Sequence, residues 1–438
     1  MVAAYGRAAS YWAPQILLHH RLPRAVVKRL AWARLVRAIH HARRAVPFYR
    51  ARYDGLATPR DRADLAAYPL LSKADLREAG DSLLRDGAPS RDRLSERSSS
   101  GSSGRPVRVL FDPLAELPRR LQELRLLSAH GFRLTDRQVI FDAPSHMPPR
   151  PFLLQRLGLW RRDPFPWERP LAESLRWLEG ERVEVLHGVL SSIRMLALSV
   201  RKRGGLAYRP KLVVTKGELL DPGTRRLVED TFGCPLVDYY ATEEVGIIAW
   251  QEPGAQSYLV DEDLVFVEIV DERGQPVPDG QVGEIVVSNL YQRTMPILRY
   301  RTGDLGRLSP ERTPWGLPRL EELRGRRIDC LVTPDGRVRH PFTLMAALED
   351  VPEIEAFRLE QTAVDELTAW VRWEPAGREP PAARVVERLS AVLGDGMQVR
   401  VRSMPEDERF EPGKSHLVKV LPERSVDALR LGDLEIEL

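Results

Sequence analysis

VEVLHGVLSSIRMLALSVRKRGGLAYRPKLVVTKGELLDPGTRRLVEDTFGCPLVDYY, residues 183–240, is the stretch that decides the fold class of this chain. Three short apolar runs within it, at 183–188, 211–217 and 235–240, have the composition of strands. The two segments between them have the apolar spacing of helices. Strands that alternate with helices of this length predict parallel β-α-β units, so we expect an α/β domain here.

The second of these two helices has recognisable boundaries. Asp221, followed by a proline, is a favourable start, and Gly233 is a favourable end. Toward the N-terminus, VIFDA (139–143) predicts one more strand and LAESLRWLEG (171–180) one more helix. Helical spacing dominates from the start of the chain to about residue 95. The large domain is therefore expected to begin with helices and to continue as α/β.

Toward the C-terminus the pattern changes twice. LVFVEIVDERGQPVPDGQVGEIVVSNL (264–290) alternates with period two around turn residues, which predicts antiparallel strands. Beyond Arg324, the sequence predicts a hairpin, a helix, two strands, a second helix and a last strand, which together form a compact α+β unit. We therefore expect a large N-terminal domain over 1–324, with parallel and mixed sheets plus an antiparallel β segment, and a small C-terminal domain over 325–438.

Composition limits the class of protein. The chain has 438 residues, 43% of them hydrophobic and 29% charged, as in ordinary globular proteins. It has no run of about 18 apolar residues and no clear signal peptide, so the sequence predicts a cytoplasmic protein. Its two cysteines, Cys234 and Cys330, are too few for a disulfide framework or a cysteine zinc site. The net charge of +4 comes largely from the first 52 residues, which we interpret as a solvated helix face rather than a nucleic-acid or membrane surface.

A serine- and glycine-rich loop, RSSSGSSGRP (97–106), has two interpretations. Such segments are often flexible linkers. Successive small residues also let backbone N–H groups converge on an anion, and serine hydroxyls add donors. The loop runs directly into a predicted strand, VRVLF (107–111), and lies between a helix and a strand. That position favours an anion-binding loop over a tether between domains.

Candidate acids and one candidate cation lie in other stretches. Glu243 and Glu244 follow a predicted strand, and either could supply an oxygen ligand for Mg²⁺. Asp304, in the turn Thr-Gly-Asp, could accept hydrogen bonds from ribose hydroxyls. Lys414 follows a Pro-Gly turn near the chain end and could neutralise charge during phosphoryl chemistry, whereas Lys419 is interpreted as a surface lysine.

Taken in order, these stretches resemble a known superfamily. The Ser/Gly loop, YRTGDL (300–305), RGRRID (324–329) and Gly413-Lys414 are similar to motifs of the adenylate-forming (AMP-forming) acyl and aryl ligases. AVPFYRARYDG (45–55) and YPLLSKADLR (68–77) resemble signatures of its phenylacetate–CoA ligase branch, with its capsule-gene and coenzyme F390 synthetase-like relatives. The resemblance covers nearly the whole chain and implies an adenylate-forming fold whose small C-terminal domain is mobile.

The resemblance implies a role for each matching residue. The phosphate loop would grip the β- and γ-phosphates of ATP, and its residues are Ser99, Ser100, Gly101, Ser102, Ser103 and Gly104. Gly217 and Glu218 would line the adenine and acyl pocket, and Tyr240 would stack near the adenine. Glu244 would hold Mg²⁺ and act in catalysis, and Asp304 would bind the ribose. Arg326 would lie beside Asp304 near the hinge, and the catalytic Lys414 would contact the carboxylate and the α-phosphate.

The chain departs from the family pattern at several positions. The Tyr-Gly-x-Thr/Ser-Glu motif is Tyr240-Ala241-Thr242-Glu243-Glu244 here, so the metal carboxylate stays open between Glu243 and Glu244. Trp250 and Tyr258 stand near where some relatives have zinc ligands, which argues against a structural zinc. Arg105 and Val107 replace a lysine that many members have near the end of the loop.

The implied activity is ATP-dependent activation of an aryl or arylacetic acid, followed by transfer to CoA. An amine, hydroxyl or carrier-protein acceptor, a nucleotidyl transferase, and a non-catalytic nucleotide-binding protein are the alternatives. ATP, Mg²⁺, CoA and a small carboxylic acid are the expected partners, with no nucleic acid and no membrane. The oligomeric state is open, a homodimer included. His146 and His187 could recognise a polar substituent of the acid, or could be structural histidines.

Overall fold

The structure is a computed structural model. It describes residues 2–99, 107–141, 155, 157–165, 171–311, 316–326, 331–334, 338–339, 344, 347–348, 351, 353–363, 365–373, 382–394, 396–404 and 416–419. The chain divides into two compact units, one formed by residues 1–132 and 239–323 and the other by residues 133–238 and 324–438. None of the described helices is long and apolar enough to cross a membrane.

The helices of the described residues are α1 Val2–Leu18, α2 Arg24–Ala45, α3 Pro47–Arg52, α4 Lys73–Ala79, α5 Glu116–Ala129, α6 Leu171–Glu181, α7 Leu190–Lys202, α8 Pro222–Phe232 and α9 Ala382–Leu393. The strands are β1 Ser95–Ser99, β2 Val107–Phe111, β3 Arg137–Phe141, β4 Arg161–Pro164, β5 Val185–Val189, β6 Leu212–Lys216, β7 Leu236–Thr242, β8 Gly246–Gln251, β9 Tyr258–Val260, β10 Val265–Val270, β11 Gly283–Asn289, β12 Tyr300–Leu308, β13 Arg319–Arg326, β14 Leu331–Val332, β15 Val338–Arg339, β16 Ile354–Ala363, β17 Glu366–Trp373, β18 Gln398–Ser403 and β19 His416–Lys419.

The first unit packs α1 to α5 with strands in the order β10, β11, β12, β13, β9, β8 and β7. The pairs β10–β11, β11–β12, β13–β9, β9–β8 and β8–β7 are antiparallel. The predicted N-terminal helices and antiparallel segment are therefore confirmed. A buried ion-pair cluster anchors α5: Arg125 Nη1 lies 2.6 Å from Asp261 Oδ1, and its Nη2 lies 2.7 Å from Asp263 Oδ2. Because a guanidinium matches carboxylates in a fixed planar geometry, this cluster fixes the helix that carries Glu116 and Arg119.

One local prediction in the first unit is wrong. The Ser/Gly loop does not join a helix to a strand, because residues Ser95–Ser99 form β1, which pairs antiparallel with β2 in the register Ser99↔Val107. Residues 91–93 form the last helical turn before it. Serine-rich sequence has little strand propensity of its own, so cross-strand pairing with the apolar β2 overrides the local signal. The described residues on the two sides of the loop therefore form a pair of antiparallel strands.

The second unit has the predicted parallel arrangement. Strands β4, β3, β5 and β6 are adjacent and parallel, and α6, α7 and α8 follow the β-α-β pattern along the chain. The predicted boundaries of α8 are confirmed: the Asp221 side chain accepts a hydrogen bond from the Thr224 N–H at 2.6 Å, and Gly233 is left-handed with φ +66°. Glycine at that position avoids the cost of a left-handed residue that bears Cβ.

The C-terminal part of the second unit is the predicted α+β arrangement. Its strands lie in the order β18, β17, β16 and β19, with β16 and β17 antiparallel and the outer pairs parallel. Helix α9 buries Val385, Leu389 and Leu393, whose spacing places them on one face, in a core with Phe357 and Leu367. The boundary between residues 324 and 325 stays a prediction.

Candidate active site

Asp304 lies in a bulge of β12. In the ladder with β11, Glu284 pairs with Leu305 and Val286 pairs with Arg301. An advance of two residues on β11 therefore lies opposite an advance of four residues on β12. Bulges bend a strand locally and re-aim its side chains, and they are common next to active sites. The bulge therefore sets the direction of the Asp304 carboxylate.

Local hydrogen bonds fix this bulge. The Thr302 hydroxyl donates to the carbonyl of Ile285 at 2.8 Å and accepts from the N–H of Asp304 at 3.1 Å. Between them, Gly303 has φ +81°, a left-handed conformation that favours glycine. Each residue of the Thr-Gly-Asp triplet thus has a separate geometric role.

The carboxylate of Asp304 is held by a tyrosine from a distant part of the chain. The hydroxyl of Tyr240, on β7, donates to Asp304 Oδ2 at 2.6 Å, a distance typical of a charge-assisted hydrogen bond. Both residues are buried, with Tyr240 8% and Asp304 9% exposed. A carboxylate has about four acceptor positions, and the Tyr240 hydroxyl takes one of them. The pair is suited to accept further hydroxyl donors from a ligand.

Glu244 is buried in the turn between β7 and β8, with 3% of its surface exposed. The hydroxyl of Tyr300, at the start of β12, donates to Glu244 Oε1 at 2.8 Å. The turn itself is fixed through the carbonyl of Val245, which accepts from Asn289 Nδ2 and from the Tyr291 hydroxyl, each at 3.0 Å. The Glu244 carboxylate is therefore held at a defined place.

Glu243 has different neighbours from Glu244. Its carboxylate lies 3.9 Å from Nη2 of Arg119, which is partly buried on α5. Arg119 also lies over the ring of Phe111, 5.7 Å from the ring centroid. Burial alone would lower the pKa of Arg119, but the carboxylates of Glu116 and Glu243 outweigh it and raise the pKa. Glu243 therefore belongs to a cluster of charged side chains.

The same cluster reaches β1, the strand that leads into the Ser/Gly loop. Arg97 Nη2 lies 3.4 Å from both oxygens of Glu116, and the Ser95 hydroxyl donates to Glu116 Oε1 at 2.9 Å. Burial would raise the pKa of Glu116, but Arg119 and Arg97 outweigh it, and the pKa lies below its ordinary value. These contacts tie β1 to α5 immediately before the loop.

The family resemblance implies a Mg²⁺ ion. The side chains near Glu244 can be compared with the ligands that Mg²⁺ binds in proteins. Among the described residues, no three His, Cys, Asp or Glu side chains form a group that could hold a metal. Mg²⁺ commonly binds through one or two carboxylates together with substrate phosphates rather than in an all-protein cage. A single buried, oriented carboxylate at Glu244 fits that mode of binding.

In the second unit, Gly217 directly follows β6 with φ +84°, another left-handed position. Beside it, the Thr215 hydroxyl donates to Asp238 Oδ1 at 2.7 Å, and both residues are buried. His187 is 3% exposed and lies on β5, opposite residues of β3 and β6. Glu218, the other predicted pocket residue, follows Gly217 in a bend. Their predicted roles toward the nucleotide and the acid stay predictions.

Several predicted site residues lie outside the described residues, namely Ser100, Gly101, Ser102, Ser103, Gly104, His146 and Lys414. Ser99 is the last residue of β1, and Arg326 is the last residue of β13; only their backbones are described. Their proposed roles rest on the sequence motifs.

Sequence reasoning missed three side chains beside the predicted residues: Tyr300, Arg119 and Arg97. Tyr300 begins the YRTGDL motif, so its place in the motif could have indicated a role. Arg119 and Arg97 had no local signal, because their importance arises from Glu243 and Glu116 across the fold.

Comparisons with known proteins bear on the fold and on the class of protein. A family model described as "AMP-binding enzyme" matches residues 155–292. The phenylacetate-coenzyme A ligase of Thermus thermophilus is 26% identical over 357 residues, covering 76% of this chain and 77% of that protein. The enzyme of the same name from Aromatoleum evansii is also 26% identical, covering 70% of each chain. A crystal structure of 2-hydroxyisobutyryl-CoA ligase in the postadenylation state has a TM-score of 0.75 at 20% identity, covering 93% of this chain and 92% of that one.

The chain is an adenylate-forming enzyme with the fold of the AMP-binding ligases. In sequence it is similar to the phenylacetate–CoA ligases. The predicted resemblance and the predicted fold class are confirmed.

Proposed function

We propose that this chain activates a carboxylic acid with ATP, releasing pyrophosphate, and then transfers the acyl group to CoA with release of AMP. The acid is proposed to be an aryl or arylacetic acid. Relatives named phenylacetate-coenzyme A ligase, at 26% identity over most of the chain, support both parts of this proposal.

The observation that carries the proposal is the buried contact between Tyr240 and Asp304. A nucleotide presents two vicinal ribose hydroxyls, and an oriented carboxylate can accept from both, as acids do in dinucleotide-binding folds. Tyr240 keeps the carboxylate in one orientation, so less entropy is lost when the ribose binds. A turn aspartate without this support would not be preorganised in the same way.

In the proposed first step, an oxygen of the acid attacks the α-phosphorus of ATP, and the bond from that phosphorus to the pyrophosphate oxygen breaks. The carboxylate is already a nucleophile, so the step depends on positioning and on neutralising charge. Ser99–Gly104 are proposed to bind the β- and γ-phosphates, and Lys414 to approach the α-phosphate and the acid. Glu244 would hold Mg²⁺, which when bound withdraws charge from the phosphate oxygens.

In the proposed second step, the CoA sulfur attacks the acyl carbon of the adenylate. A carbon–sulfur bond forms, the bond to the AMP oxygen breaks, and the thiol proton passes to solvent. The small domain, predicted as 325–438, is proposed to withdraw Lys414 between the two steps. Such alternation relies on a few hinge residues, here predicted at Gly325–Asp329.

The experiment is a product analysis on a panel of aryl, arylacetic and short aliphatic acids with ATP and Mg²⁺, each with and without CoA. The proposal requires AMP and an acyl-CoA of matching mass from at least one aromatic acid. Asp304→Asn is the matched control, because it removes one charge and leaves the shape of the site. Formation of ADP in place of AMP would contradict the reaction class, and an acyl-adenylate without thioester would contradict CoA as the acceptor.

A further inference from the structure

Arg299 is a buried residue with an unusual backbone, directly before Tyr300 in the MPILRYRTGDL segment. It is 2% exposed, and its φ of +48° is left-handed. A residue with Cβ adopts this conformation at an energetic cost, and it persists where the surroundings determine it strongly. Such positions cluster at functional sites, so the contacts that hold Arg299 are informative.

All five N–H donors of the Arg299 guanidinium have acceptors. Nε and Nη2 donate to the two oxygens of Glu268, at 3.1 and 2.9 Å. Nη1 donates to the carbonyl of Leu65 at 2.6 Å and to that of Tyr68, and Nη2 also donates to the carbonyl of Gly274 at 3.1 Å. A guanidinium has five donors in a fixed planar arrangement, so this set of acceptors fixes its position and plane.

The backbone on both sides of Tyr300 is fixed as well. The carbonyl of Arg299 accepts from the N–H of Leu71 at 2.8 Å, and the N–H of Arg301 donates to the carbonyl of Leu71 at 2.9 Å. The N–H of Arg299 donates to the Ser288 hydroxyl at 2.8 Å. Tyr300 is thus bracketed between Arg299 and Arg301, and its ring is fully buried.

We propose that Arg299 is a positioning residue for the nucleotide-bound cation. Through its ion pair with Glu268 it sets the start of β12, so that the Tyr300 hydroxyl orients the Glu244 carboxylate. This inference rests on the proposed function, in which Glu244 holds Mg²⁺ with ATP. Asp304 is held separately by Thr302 and Tyr240, so ribose binding should depend much less on Arg299.

The chain supplies a matched control two residues further along, inside β12. Arg301 forms an ion pair with Glu284, but 39% of its side chain is exposed, whereas only 2% of the Arg299 side chain is. An Arg-to-Lys change at 301 therefore tests for a general effect of shortening an arginine at the start of β12.

The test compares wild type with the variants Arg299→Lys, Tyr300→Phe and Arg301→Lys. Calorimetry measures ATP binding over a series of Mg²⁺ concentrations, and AMP binding without Mg²⁺. Arg299→Lys and Tyr300→Phe should each raise the Mg²⁺ concentration for half-saturation about five- to twentyfold, since each disturbs a hydrogen bond to a charged group. AMP affinity should change less than about twofold in both variants, and Arg301→Lys should match wild type in both measurements.

The double variant Arg299→Lys/Tyr300→Phe tests whether Arg299 acts through Tyr300. If Arg299 acts through Tyr300, the double variant should need no more than about twice the Mg²⁺ of Tyr300→Phe alone. A lower unfolding temperature of Arg299→Lys with unchanged Mg²⁺ dependence would reduce Arg299 to a purely structural role and overturn the inference. Additive Mg²⁺ shifts in the double variant would overturn it too.

Two further outcomes concern the folding of Arg299→Lys and the binding of ATP by wild type. If Arg299→Lys lacks a native circular dichroism spectrum, Glu268→Gln takes its place and must give the same Mg²⁺ shift, or the inference fails. If wild type itself does not bind ATP, the proposed function fails. If wild type binds ATP but the variants do not change its Mg²⁺ dependence, the inference about Arg299 fails.

Discussion

The phenol oxygen of Tyr240 lies 2.6 Å from Oδ2 of Asp304, although 64 positions separate the two residues in the sequence. Tyr240 is on β7 and Asp304 is in the bulge of β12, so the first unit brings two predicted nucleotide-binding residues together. A second pair, Tyr300 and Glu244, repeats the pattern of a tyrosine hydroxyl that holds a buried carboxylate. These two pairs define the candidate site.

We expect Asp304→Asn to weaken AMP binding about tenfold to a hundredfold, because hydrogen bonds to a charged group are lost. Tyr240→Phe removes only the hydroxyl that orients the carboxylate, and a smaller effect of about three- to tenfold is expected. Calorimetric titration with AMP measures both. Equal affinity of Asp304→Asn and wild type would mean that the ribose binds elsewhere.

Glu243 and Glu244 are expected to behave differently although they are adjacent. Glu244→Gln should lower the rate of adenylation about 10²- to 10³-fold at fixed Mg²⁺, since the charged carboxylate proposed to hold Mg²⁺ is removed. Glu243→Gln removes a partner of Arg119 at 3.9 Å and should cost less than about fivefold. Single-turnover adenylation rates over a range of Mg²⁺ concentrations decide between them. The reverse ranking would assign the metal to Glu243.

Lys414→Ala is expected to slow adenylation about 10²- to 10³-fold and largely to spare thioester formation from preformed acyl-AMP, because the lysine is proposed to act only in the first step. Lys419→Ala is the matched control and should be nearly silent. Rapid-quench measurements of the two half-reactions separate the effects. Similar losses in both half-reactions of Lys414→Ala would contradict a role limited to adenylation.

The sequence predicted the parts of the fold that depend on local pattern. The boundaries of α8 at Asp221 and Gly233 follow from capping chemistry, and the parallel strands follow from alternation with helices. The assignment before the Ser/Gly loop was wrong because β1 depends on pairing with β2, a non-local interaction.

The candidate site was predicted only where a motif contains the residue. Asp304 and Glu244 lie in motifs, but each carboxylate is oriented by a tyrosine from the other motif, a pairing that only the fold creates. The left-handed backbone of Arg299 has no local cause, because its acceptors come from Glu268, Gly274 and the segment before Leu71. Such contacts follow from tertiary packing and leave no periodic pattern.

Glu116 should make stability depend on acidity. Its pKa in the folded protein lies below the ordinary value of 4.5, so its ionised form stabilises the fold above that pH, and this contribution is lost as pH falls through the folded-state pKa. Glu116→Gln should therefore have a lower unfolding temperature than wild type at about pH 7. The difference between the two unfolding temperatures should become smaller below about pH 4.5. Thermal melts from pH 7 to pH 3 check this. A constant difference over that range would contradict the linkage.

The most direct measurement of the central claim is acid-dependent exchange of labelled pyrophosphate into ATP in the absence of CoA, because only a reversible adenylation step moves the label. The account predicts exchange with at least one aryl or arylacetic acid, no exchange without acid, and a loss of at least about tenfold in Asp304→Asn. Folded protein that binds ATP yet exchanges no label with any acid of the panel would contradict it.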